Sequence, residues 1–166
     1  MADRRVVVTG VGLVCPVGND VDTSWKNILA GKSGIVPITH FPVEDFPVRF
    51  SGSVKDLDLE PYMSKKDARR MDAFIHYGVV AGKQALADSG LEVTDANSAR
   101  IGAIVGSGIG GITSIENGYH NFLNSGPRKI SPFLIPSSLV NMVAGNLSIM
   151  LGLKGPNFSI VSACSS

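Results

Sequence analysis

Cysteine is scarce in this chain, with only Cys15 and Cys164 among 166 residues. Two thiols give no disulfide framework and suit a reducing compartment. An excess of charge is also missing: 15 Lys and Arg stand against 14 Asp and Glu, a formal net charge of +1. No global field therefore argues for nucleic acid or membrane, and a charged partner has to meet a local patch. Histidine is rare. His40, His76 and His120 are widely separated and show no metal-ligand spacing, so they are read as satisfied surface or core residues and no metal is expected. No acidic pair stands out for general acid–base work. The most membrane-like stretch, residues 134–153, is interrupted by Pro136, Ser137, Ser138, Asn141, Asn146 and Ser148. A spanning helix tolerates these poorly, and a buried helix is expected there. Residues 1–8 run straight into β-branched side chains without a secretory signal pattern, which points to a cytoplasmic protein.

What is present is a globular composition, 44% hydrophobic and 17% charged, long enough for one domain with a real core. Residues 5–9 are read as a buried strand ending in the turn Gly10-Val11-Gly12. Asp20 or Asp22 is placed to cap a helix through Trp25, Ile28 and Leu29 that closes at Gly31. Residues 33–63 carry four prolines and no clean periodicity, an irregular excursion with a short strand around 48–54. The clearest helix runs through Met71, Phe74, Ile75, Val79, Gly82, Ala85 and Leu86 to Gly90. Strands at 101–105 and 158–161 and helices at 113–123 and from Ser137 or Ser138 to Leu151 complete the pattern. Strands alternating with helices predict an α/β layered fold with a mainly parallel sheet.

Several motifs admit two readings. Gly10-Val11-Gly12 has Cys15 where a third fingerprint glycine would stand, so a tight turn is preferred to a dinucleotide site. Gly106-Ser107-Gly108-Ile109-Gly110-Gly111 lacks the Gly-Lys-Ser/Thr ending of a P-loop, and close backbone approach is the alternative to a phosphate cradle. Cys15 lies in an apolar turn, where an inert buried thiol is ordinary. Cys164 is different. It follows a β-branched run and small residues in Ser162-Ala163-Cys164-Ser165-Ser166, the pattern of a strand-to-helix elbow that presents a nucleophile beside backbone N–H donors. Lys65, Lys66, Arg69 and Arg70 fall at the start of the long helix, where cations oppose the macrodipole, and Arg128 and Lys129 sit in a loop. The ordinary reading is a solvated face; the awkward placement favours an anionic partner.

In this order the motifs resemble the 3-oxoacyl-[acyl carrier protein] synthases of the thiolase superfamily, closest to the bacterial type II elongating enzymes. The resemblance is carried by residues 4–12, Lys55 with 64–71, 106–111, 126–133, Asn141-Met142-Val143-Ala144-Gly145, Gly152-Leu153-Lys154-Gly155-Pro156 and the elbow. It implies that 1–166 is the N-terminal portion of a thiolase-like layered fold, cut just after the elbow. It also implies that Cys164 carries an acyl thioester, its N–H forming half an oxyanion hole, for decarboxylative condensation with malonyl-acyl carrier protein. Ile109 would line the acyl pocket and Leu134 would reach in from the partner subunit of a homodimer, with Leu134 standing where the family commonly has phenylalanine. Lys65, Lys66, Arg69, Arg70, Arg128 and Lys129 would dock the acidic acyl carrier protein, and no cofactor is implied. Two histidines, a lysine and a gating phenylalanine belong to the family's second half, so this stretch alone is expected not to condense. Alternatives are an initiating synthase or thiolase, a non-catalytic ketosynthase-like partner, and a carrier-protein-binding fragment.

Overall fold

A computed structural model describes residues 4–166. Its elements in order are α1 (Val21–Leu29), β1 (Ile35–Pro37), β2 (Phe50–Gly52), α2 (Lys65–Ala68), α3 (Ala73–Ser89), β3 (Ala103–Gly106), α4 (Ile112–Ser125), α5 (Leu134–Ser138), α6 (Met142–Leu151) and β4 (Asn157–Ile160). Three-residue 3₁₀ turns occur at Ser98–Arg100, Pro127–Lys129 and Ala163–Ser165.

The core forms where α3 crosses α6. Gly78 and Gly82 on α3 face Val143 and Leu147 on α6, a four-residue spacing on both helices that lets ridges enter grooves. A Cβ on Gly82 would stand 2.7 Å from Leu147 Cδ2, and one on Gly78 would overlap Val143 Cγ1. Ile75, Val79, Val143 and Ala144 are buried here together with Met63, Ala103 and Leu147. Gly90 and Gly152 close α3 and α6 at φ of 64° and 70°, left-handed positions that glycine adopts freely. At α1 the capping residue is Asp20, whose Oδ1 accepts from the Thr23 N–H at 2.7 Å.

Beneath α6 lie β3 and β4, paired in parallel with Ala103 opposite Asn157 and Gly106 opposite Ile160. Alternation sends Asn157 and Ser159 toward α6, where Asn157 Nδ2 donates to Ala144 O and Ser148 Oγ and Ser159 Oγ donates to Val140 O. The opposite face presents Ile104, Phe158 and Ile160, all exposed. The short strand expected near 48–54 is β2, and its antiparallel partner β1 was not foreseen.

Three expectations need correction. Residues 5–9 form no strand: they have no ladder partner among the described residues, and Val6, Val7 and Val8 are exposed. β-Branching suits a strand only where a neighbouring ladder completes it. The glycines that follow are placed by α3 instead. Val11 N donates to Asp88 Oδ2 at 2.8 Å and Leu13 N to Gln84 Oε1 at 3.0 Å, while side chains on Gly10 or Gly12 would overlap the carbonyls of Ala85 and Ala81. Close approach to a helix therefore explains Gly10-Val11-Gly12, and the next helix starts only at Val21. Second, the helix expected from Ser137 or Ser138 is two helices. Ser137 Oγ and Ser138 Oγ bond back to the carbonyls of Leu134 and Ile135, Leu139 is extended (ψ 131°), and α6 restarts after Asn141. Third, Cys15 is half-buried, not buried.

Candidate active site

Cys164 stands exposed in the 3₁₀ turn Ala163–Ser165 that follows β4. The turn is drawn tight by the carbonyl of Ser162, which accepts from Ser165 N at 3.1 Å and Ser165 Oγ at 2.8 Å. Ser166 Oγ accepts from Ser162 N and donates to Ala163 O. Ala163 holds φ at 50°, one of two non-glycine residues with positive φ among the described residues. The N–H groups of Ala163 and Cys164 open the turn, the position where a helix leaves its first donors free.

Two motifs that the sequence separates by some fifty residues meet at this turn. Ser107 N donates to Ile160 O at 3.2 Å, a Cβ on Gly106 would strike the Ser166 carbonyl carbon, and one on Gly108 would touch Ala163 O at 3.4 Å. At its other end the glycine loop rests on α5: Gly111 N donates to Ser138 O at 3.0 Å, and Gly110 takes φ of 81°. Glycine thus serves backbone approach here. Ile109, between the two contacts, is 68% exposed beside the elbow loop. Leu134 is half-buried at the start of α5 and packs on Gly118 of α4 in its own chain, where a Cβ would lie 2.9 Å from Leu134 Cδ1. It lines a cavity of about 170 Å³ with Arg69, Arg70, Ser131 and Phe133, and Ile109 is not part of that wall.

All six sequence-selected cations are exposed, but the electrostatic argument attached to four of them changes. Lys65 and Lys66 belong to the separate helix α2, capped by Ser64, whose Oγ accepts from Asp67 N. Arg69 and Arg70 follow its C-terminal end, where cations are favourable, and α3 starts afresh after Asp72. The long helix does not carry cations in its first turn. Lys65 pairs with Glu60 at 2.7 Å, and Arg70 lies 4.5 Å above the Phe133 ring centroid. Arg128 and Lys129 occupy the 3₁₀ turn after α4.

The histidines are engaged elsewhere. His76 Nε2 shares a hydrogen bond with Ala68 O, His120 lies 4.0 Å from Glu116, and His40 meets the edge of Phe41. Cys15 lies in a tight turn with Gly18, its Sγ 3.4 Å from Ser24 Oγ. Burial pushes this thiol up, but hydrogen bonds from Ser24 and from the backbone at Val17 and Gly18 outweigh it and hold the thiol below its ordinary pKa. Sequence reasoning missed Asp72, which is 7% exposed and accepts from Ser114 N in the first turn of α4 at 2.7 Å. An aspartate directly before Ala73-Phe74-Ile75 was the available signal of a helix start.

Comparison with known proteins identifies the family. The sequence profile of "Beta-ketoacyl synthase, N-terminal domain" matches residues 3–166. A 3-oxoacyl-[acyl-carrier-protein] synthase 2 of Vibrio cholerae is 62% identical over 164 residues, 99% of this chain and 40% of the relative. The Staphylococcus aureus protein of the same name is 43% identical over 162 residues, 98% and 39% of the two chains. This chain thus spans about 40% of the length of the curated relatives it matches. Among solved structures, the ishigamide ketosynthase/chain length factor has a TM-score of 0.83 at 24% identity, covering 96% of this chain and 40% of that one. A type II PKS acyl-carrier protein in complex with its ketosynthase gives 0.71 at 28% identity, over 92% and 40%. The order of motifs, the profile match over residues 3–166 and the identity to these relatives converge: the chain belongs to the beta-ketoacyl synthase family.

Proposed function

We propose that Cys164 is the acyl acceptor of a 3-oxoacyl-[acyl carrier protein] synthase that elongates fatty-acid chains. The observation that carries this reading is an exposed thiol on a tight turn at the end of β4, with the loop 106–111 packed against it. The Cys164 thiolate attacks the carbonyl carbon of an acyl thioester, and the carrier's thiolate leaves and takes up a proton. Free donors at the start of the turn suit the oxyanion formed on the way. Malonyl-acyl carrier protein then loses carbon dioxide, its carbanion attacks the acyl-enzyme carbonyl, and the Cys164 thiolate is released. The names of relatives 48–62% identical to this chain favour this over a non-catalytic partner or a binding fragment.

The acidic acyl carrier protein is the proposed partner, docking on Lys65, Lys66, Arg69, Arg70, Arg128 and Lys129, with Ile109 of one protomer and Leu134 of its partner bordering the acyl chain. A homodimer belongs to the same reading. Among the described residues β4 pairs only with β3, which leaves one strand edge unpaired, and α4 exposes Ile112, Ile115, Tyr119 and Phe122 at helical spacing. A cytoplasmic setting suits the two free thiols, and no helix among the described residues is long and apolar enough to cross a membrane.

The test is the intact mass of the whole protein after incubation with acyl-acyl carrier protein. One acyl adduct mapping to Cys164 and lost in Cys164→Ala is expected. An adduct on Cys15, or none on an otherwise folded protein, refutes the assignment.

A further inference from the structure

Arg70, the last of the proposed docking cations on this segment, opens a short hinge, Arg70-Met71-Asp72, between α2 and α3. Its apolar residue, Met71, packs against the core. Its two charged side chains both leave their own helices and hold neighbouring ones. The Arg70 guanidinium covers the ring of Phe133 at 4.5 Å, within cation–π range. Phe133 occupies the capping position of α5, and the next residue is Leu134, wedged on Gly118 of α4. Asp72 sits at the capping position of α3 without capping it. Its Oδ2 instead accepts from Ser114 N at 2.7 Å, and its Cβ lies 3.1 Å from where a side chain on Gly111 would begin. A carboxylate beside those free donors is favourably placed on α4 and fixes where the helix starts. Gly111 follows closely on Ile109 in the same loop.

We propose that Arg70 and Asp72 are positioning residues that set the acyl-length preference of the pocket from the docking face. Arg70 acts on Leu134 through Phe133, and Asp72 acts on Ile109 through the first turn of α4. The inference rests on the reading of Cys164 as acyl acceptor and of Ile109 and Leu134 as pocket borders. It gives Arg70 a contact within its own molecule beside its proposed docking role, because its cation faces the Phe133 ring. A merely structural role for either residue would alter stability and leave the ratio of rates for long and short acyl groups unchanged.

The experiment measures that ratio for acylation of Cys164 in the whole protein, with acyl groups carried on acyl carrier protein and, separately, on small pantetheine thioesters that need no docking. Arg70→Gln and Phe133→Leu are each expected to shift the ratio about threefold with both kinds of substrate, and the double variant no further than either single one. Asp72→Ala is expected to shift it as well, whereas Asp72→Asn, which keeps an acceptor for Ser114 N, retains the wild-type ratio. Should Asp72→Ala fail to fold, Asp72→Ser, with a shorter acceptor, carries the same comparison. Lys66→Gln, a docking control, should slow only carrier-borne substrates. If Arg70→Gln behaves like that control, or if it adds fully to Phe133→Leu, the role of Arg70 is overturned. A wild-type ratio in Asp72→Ala, or a ratio in Asp72→Asn shifted as far as in Asp72→Ala, overturns the role of Asp72. A wild-type protein that takes no acyl group from either substrate sinks the reading of Cys164 itself, an outcome distinct from an acylated Cys164 with an unchanged ratio.

Discussion

Adding one methyl group to either of two helix glycines should move stability in opposite directions. In a helix interior Gly→Ala gains about 0.5–1 kcal/mol from backbone entropy. At Gly145 of α6 that gain should stand, because the nearest atom to a new Cβ is Met142 Sδ at 3.9 Å. At Gly78 of α3 the same methyl would overlap Val143 Cγ1. Val143 is 1% exposed and β-branched, so it has no free rotamer to retreat into. Overpacking of this kind costs about 1–3 kcal/mol, which outweighs the entropic gain and leaves Gly78→Ala destabilised by roughly 1–2 kcal/mol. Gly82→Ala should fall between them, since Leu147 can adjust more easily than valine. The assay is urea unfolding followed by circular dichroism. With a slope of about 2 kcal/mol per molar, the Gly78 and Gly145 variants should differ in midpoint by roughly 1 M. Val143→Ala alone removes about 1.6 kcal/mol of buried methyl groups, and combined with Gly78→Ala it should cost less than the sum. A Gly78→Ala protein as stable as Gly145→Ala, or strict additivity with Val143→Ala, would mean that α3 and α6 do not touch at this point.

Hydrogen bonds from the Thr23 backbone and side chain hold the Asp20 carboxyl below its ordinary value. Its contribution to α1 is therefore full above the unfolded pKa of about 3.9 and is lost as pH falls through the folded value. Asp20→Ala should cost about 1 kcal/mol at neutral pH, and an acid-unfolding curve unchanged by Asp20→Asn would contradict the capping role. Ser24→Ala removes the side-chain hydrogen-bond partner of Cys15 Sγ, so the pH midpoint of Cys15 alkylation should rise; a fixed midpoint would remove Ser24 from the account. Lys66→Gln and Arg128→Gln should each raise KM for carrier-borne acyl groups about threefold at low salt, with the effect shrinking toward 0.5 M as screening sets in. A salt-independent change would argue against charge-driven docking.

The parts of this fold legible in the sequence are those fixed by local chemistry. Gly90 and Gly152 stop α3 and α6 because left-handed caps need glycine, and Asp20 starts α1 because its side chain satisfies a nearby donor. Val6, Val7 and Val8 could not be read correctly from their β-branching, because a strand also needs a partner that residue type alone does not reveal. Helix breaks were missed where side chains compete with the backbone. Ser64 and Asp67 cap the start of a short α2 while Asp72 precedes a new helix, and Ser137 and Ser138 bond backward to end α5. At the site, Cys164 and the loop 106–111 were each visible as motifs, but that they touch follows from the parallel pairing of β3 with β4. The bridges from Arg70 to Phe133 and from Asp72 to Ser114 join residues far apart in sequence, and no local pattern announces them.

The φ of 50° at Ala163 has a consequence for anyone redesigning the elbow. Glycine would adopt that angle without strain, whereas alanine costs about 1–2 kcal/mol there. Alanine also narrows the torsional freedom of the chain just before the thiol, so the backbone itself sets the direction of Cys164. Ala163→Gly should therefore relax the turn and let the sulfur wander, trading aim for comfort. The methyl group of Ala163 works as a stop on a pivot, and the thiol it steers is the part of the molecule with most to lose from play.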